Sequence, residues 1–88
     1  MHGDRDPVFA IAGQALEYAR KAVALNEENG ASSADKAAAL DTLAEAYFVN
    51  ADYDKAIETE KKALALRPDY SSFKQSLDRY QRAKQDKK

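Results

Sequence analysis

The chain repeats itself, and the repeat limits what it can fold into. Residues 15–26 read ALEYARKAVALN and residues 56–67 read AIETEKKALALR. Six of the twelve positions are identical: Ala15/Ala56, Glu17/Glu58, Lys21/Lys62, Ala22/Ala63, Ala24/Ala65 and Leu25/Leu66. Two more pairs, Leu16/Ile57 and Val23/Leu64, exchange one apolar residue for another. Alanine-rich faces let two helices approach closely. Helices that share such a face stack in tandem, each burying what its neighbour leaves open. At 88 residues the chain holds one such stack and not two independent cores.

Three glycines and two prolines divide the chain into helices. Asp6-Pro7 reads as an N-cap followed by proline at the first helical position, where its missing N–H costs nothing. Phe9, Ala12, Leu16, Ala19 and Val23 then recur at spacings of three and four. Gly13 weakens that pattern and predicts a frayed or kinked start, while Asn29-Gly30 supplies a C-cap. A second helix follows Ser32-Ser33 with the stripe Ala37, Leu40, Leu43, Ala44, Tyr47 and Phe48. After the turn Asn50-Ala51-Asp52, with Asp52 as N-cap, a third carries Tyr53, Ala56, Ile57, Ala63, Leu64 and Leu66 and stops at Arg67-Pro68. A fourth spans 70–85 with Tyr70, Phe73, Leu77 and Tyr80 on one face. No segment alternates in the manner of a strand, so the expected class is all-α with about four helices. Residues 1–6 are expected to be a disordered N-terminus, 7–85 a single domain and 86–88 a frayed basic tail.

The residues between 37 and 70 resemble a tetratricopeptide repeat. That pattern places an aromatic, Leu, a small residue and Tyr on the first helix, then Ala, an aromatic and Ala on the second, closed by Pro. Leu40 stands in the aromatic place, followed by Leu43, Ala44 and Tyr47, then Ala56, Glu60 where an aromatic is usual, Ala63 and Pro68. The resemblance implies antiparallel helix hairpins stacked as a short right-handed solenoid. In it, 7–29 would be the second helix of a partial repeat, 34–68 a complete repeat and 70–85 a polar-backed cap. Two departures stand out. Glu60 predicts looser packing or an open edge at its position. The two copies are offset by 41 residues, where the family period is 34, so either the first helix or its linker is lengthened.

Catalysis finds no foothold. His2 is the only histidine and lies in the N-terminal segment. The chain has no cysteine, no glycine-rich phosphate loop and no serine with a histidine base, so no enzyme activity and no cofactor are expected. Asn50-Ala51-Asp52-Tyr53-Asp54 begins like a calcium loop, but Lys55 and Lys61 stand where glycine and glutamate are required, so no metal is expected. Charge is balanced overall, with 14 basic and 15 acidic residues, which argues against a basic nucleic-acid coat. Residues 74–88 nevertheless hold six basic residues (Lys74, Arg79, Arg82, Lys84, Lys87 and Lys88) against two acidic ones. A solvated helix end explains that bias better than contact with nucleic acid or an anionic membrane. No apolar run approaches the length of a membrane span, the first six residues do not read as a signal peptide, and the cytoplasm is the default location.

The function expected is therefore a protein–protein interaction module. In the tetratricopeptide family the first helices of successive repeats line a concave groove for a peptide or partner helix. Carried over, the groove positions are Ala38, Asp41, Glu45, Phe48 and Val49, joined by Gln75, Arg79 and Arg82 from the next helix. Family members that grip C-terminal carboxylates use basic residues and asparagine where this chain has Asp41 and Glu45. The resemblance therefore points to a partner with a basic or amphipathic segment. The alternative is structural self-association, or docking onto a larger protein, through an uncovered N-terminal helix bearing Phe9, Leu16, Ala19 and Val23, with a homodimer as one form.

Overall fold

A computed structural model describes residues 7–86 of the chain, with side-chain surroundings from Ala12 onward. Expectations resting on 1–6, including the Asp6 cap and His2, and on Lys87 and Lys88 lie outside the described residues. Four α-helices follow in order: α1 (Pro7–Glu28), α2 (Ser33–Val49), α3 (Tyr53–Leu66) and α4 (Ser71–Asp86). Each packs mainly on its neighbours in the chain. The principal extents are 47 × 32 × 16 Å. α4 lies against both α2 and α3, so these three helices pack on one another, while α1 packs on α2.

Alanine sets the spacing. Ala37 and Ala44 of α2 and Ala56 and Ala63 of α3 have no exposed surface, so the two backbones meet closely along that line. Aromatic rings of α4 then lock the pair. Phe73 packs with Ala37 and Ala63, and Tyr80 packs with Ala44 and Ala56. On the other side, Ala19 of α1 packs with Leu43 and Ala46 of α2, flanked by Leu16, Val23 and Tyr47. Phe48 stacks on Tyr80 at 4.7 Å between ring centroids and also meets Tyr53 at 5.4 Å.

The helix ends follow local chemistry. Ser32 caps α2 by accepting from the Asp35 N–H, and Asp52 caps α3 by accepting from the Lys55 N–H. The Ala31 N–H reaches the Asn26 carbonyl at 3.0 Å and the Gly30 N–H turns back to Glu27, a Schellman ending with Gly30 at φ +64°. At the end of α2, Asp52 N–H bonds Tyr47 and Ala51 N–H bonds Phe48 in the same pattern, with Ala51 at φ +64°. The Asn50 amide clamps this second ending to α1, donating to the Ala12 carbonyl at 3.0 Å.

Two details differ from the sequence expectation. α1 runs through Gly13 without a break, because the apolar side of the helix is anchored on α2 from Ala12 onward. α4 begins at Ser71, and Tyr70 stands before it, edge-on to Phe73 and under the Arg67 guanidinium. Of the seven additional residues between the two copies, three lie in helix α1. Leu25 matches Leu66, the last residue of α3, yet α1 continues three residues further to Glu28.

The glycines give opposite predictions. A Cβ on either Gly13 or Gly30 would meet nothing within 4 Å, so only backbone conformation decides the outcome. Gly30→Ala should cost about 1–2 kcal/mol, because an L side chain disfavours the left-handed region. Gly13→Ala should add about 0.5–1 kcal/mol. Urea denaturation midpoints of the two variants, moving in opposite directions, check both statements.

Candidate functional site

The α1–α2 face holds an open groove of about 410 Å³ lined by Ala15, Asp41, Thr42, Glu45, Ala46 and Val49. Spacings of three and four along α2 place Asp41, Glu45 and Val49 on one line, with Thr42 and Ala46 beside it. The rim is thus acidic and the floor apolar, and Val49 is half exposed at one end. Thr42 donates its hydroxyl hydrogen to the Ala38 carbonyl, a bond within its own helix that leaves the groove open.

Asp41, Glu45 and Val49 are thereby brought together as the sequence suggests, and Arg79 of α4 reaches Glu45. Its guanidinium donates to Glu45 Oε1 at 2.8 Å, and the Tyr80 hydroxyl donates to the same oxygen at 2.7 Å. The other expected groove members do not join this line. Phe48 is partly buried, with its ring on Tyr80 and Tyr53, so it serves the core. Arg82 turns to Asp78 on its own helix at 2.9 Å. Ala38 and Gln75 are exposed but line no part of the groove.

Glu60 was expected to mark an open edge, and the structure reverses that. It is 0% exposed, on the inward side of α3, and neither carboxyl oxygen has a hydrogen-bond partner. On the same inward side, Ala56 of α3 packs with Ala44 of α2 and Tyr80 of α4. Asp41 lies close enough to act on the Glu60 carboxyl electrostatically. Burial, then Asp41, then Glu45 push the Glu60 carboxyl up to about 9, with Arg79 pulling weakly the other way. The side chain is therefore a neutral acid at ordinary pH, which is how it tolerates its position. Burial and the bond to Glu45 likewise hold the Tyr80 hydroxyl in its protonated form. Periodicity does not reveal such a group. The one signal available was a carboxylate standing where the resemblance expects an aromatic.

Three of the four residues expected on an uncovered face of α1 are covered instead. Ala19 is buried against α2, and Leu16 and Val23 pack beside it, because α2 covers this side of α1. Phe9 lies on α1, but its side chain is outside the described ones. The basic bias of α4 is largely spent at home: Arg79 pairs with Glu45, Arg82 with Asp78 and Lys84 with Asp54. A larger cleft of about 570 Å³ between α3 and α4 is walled by Ile57, Lys61, Gln81, Lys84 and Gln85. Its long polar side chains leave it without a fixed recognition group. Among the described residues no cluster of His, Cys, Asp or Glu is arranged to hold a metal ion, and no helix is long and apolar enough to cross a membrane.

Glu60 makes stability depend on pH. The folded chain keeps a proton that the unfolded chain releases above the ordinary 4.5, so stability should fall as pH rises from there to about 9. Glu60→Gln, which keeps the shape without the titration, should flatten that decline and be the more stable form at the alkaline end. Denaturation midpoints at both ends of the window measure it, and parallel curves for the two proteins would show that Glu60 titrates normally.

No protein-family model, curated protein or solved structure matches this chain, so its role has to be read from these residues and their geometry.

Proposed function

We propose that this chain is a short tetratricopeptide-like solenoid that acts as a non-catalytic interaction module, holding a basic, amphipathic helical segment in the α1–α2 groove. The observation that carries this reading is the groove itself, an apolar floor of Ala15, Ala46 and Val49 under the carboxylates of Asp41 and Glu45. Several features of the repeat pattern support the solenoid. Leu43, Ala44, Ala56 and Ala63 are buried at the places where that pattern wants them, each helix packs mainly on its chain neighbours, and α4 sits on the α2–α3 pair.

The electrostatics favour one class of partner. Glu45 already answers to Arg79 and Tyr80, and Glu60 behind it is neutral. Asp41 is then the carboxylate that offers its charge to a ligand, beside apolar surface. A lysine or arginine on a partner helix would meet it while the apolar face of that helix covered Val49 and Ala46. An acidic peptide would meet two carboxylates and be repelled.

Fluorescence anisotropy with a labelled basic amphipathic peptide, and its charge-reversed counterpart, tests this. The basic peptide should bind and the acidic one should not. Thr42→Arg, which puts a long cation into the groove at an exposed position, should weaken binding by at least about tenfold, or about 1.4 kcal/mol. Equal binding of both peptides, or an unaffected Thr42→Arg variant, would remove the groove from the function.

A further inference from the structure

Helix α1 carries a second apolar line that α2 does not cover. Ala15, Tyr18, Ala22 and Leu25 follow at spacings of three and four and so form one row along the helix surface. Tyr18 is 75% exposed and Leu25 54%, the two most open large hydrophobic residues among those described. The row lies beside the Leu16–Ala19–Val23 line that meets α2. Apolar surface therefore extends around the helix well beyond what α2 buries.

The internal repeat shows what such a row does in this fold. In the second copy the matching residues are Ala56, Thr59, Ala63 and Leu66 of α3. The first three are buried, with Ala56 packed with Ala44, and Ala63 with Ala37, of the preceding helix α2. α3 uses this row to hold the helix before it. Among the described residues, no helix stands in the same relation to α1.

The order of sizes along the row selects the occupant. It runs small, large, small, large: alanine, tyrosine, alanine, leucine. Two copies laid parallel would set tyrosine on tyrosine and alanine on alanine, leaving gaps beside collisions. Laid antiparallel, each large side chain meets an alanine, so the row is its own complement, as a two-fold contact requires. From Ala15 to Leu25 the row extends about 15 Å, nearly three turns of helix. We infer that the chain pairs with a second copy of itself through the Ala15–Tyr18–Ala22–Leu25 row of α1, the two helices running antiparallel. This surface is distinct from the carboxylates of the groove, although Ala15 borders both.

Sedimentation velocity over about a hundredfold range of concentration tests the pairing. The wild-type mass should rise from monomer to dimer. The double variant Tyr18→Glu, Leu25→Glu should remain monomeric throughout with unchanged helical circular dichroism, since both positions are exposed. A monomer at every wild-type concentration, open-ended assembly, or a double variant that still dimerises would each overturn the inference. Orientation is read separately, because the chain has no cysteine of its own. Leu25→Cys, oxidised at concentrations where it is dimeric, should give no disulfide-linked dimer. Rapid cross-linking would mean a parallel pair and would overturn the antiparallel arrangement.

Discussion

The seating of Tyr80 holds the structure together. Its ring has no exposed surface, lies against Ala44 and Ala56 where α2 and α3 meet, and stacks on Phe48. Its hydroxyl ends on Glu45 beside Arg79. One side chain therefore fixes α4 on the α2–α3 pair and positions one carboxylate of the groove. Alanine makes this geometry available. Four alanines without exposed surface bring α2 and α3 close enough for a single ring to bridge them. Burying an aromatic of this size is worth several methylene-sized increments of hydrophobic stabilisation, which the exposed ion pairs around it do not match.

The polar centre is arranged to keep charge where solvent can reach it. Glu45 accepts two hydrogen bonds and stays partly exposed. Glu60 has no partners and is buried, and it gives up its charge instead. Two carboxyl groups of the same chemistry behave differently because one is solvated and hydrogen-bonded and the other is not. Neutralising Glu60 also removes a like charge from behind Asp41, so the groove presents an acidic rim without a repulsive cluster beneath it.

Much of the architecture could be read along the chain. Spacings of three and four, the Ser32 and Asp52 caps, Gly30 and Pro68 located all four helices, because these signals act within a few residues. The α2 part of the groove was legible for the same reason: Asp41, Glu45 and Val49 share a helical face whatever packs around it. Phe48, Arg82 and Glu60 were not legible. Phe48 went to the core because α4 offered it a ring to stack on, and Arg82 found its acid within its own helix. Glu60 became buried because α3 turns that side inward, toward Asp41 and Glu45 of α2 and Tyr80 of α4, which are close enough to act on it electrostatically.

The sequence by itself determined the all-α class, the order of the four helices and the duplicated alanine face, since period, caps and turns are set by local backbone sterics and hydrogen bonding. Only the tertiary structure decided which of the two apolar lines on α1 is covered. The two lines have comparable composition, and the choice between them depends on the direction from which α2 approaches. That approach is set by the Asn50 clamp and by the fit of Ala19 against Leu43 and Ala46, contacts between distant residues that no local pattern encodes.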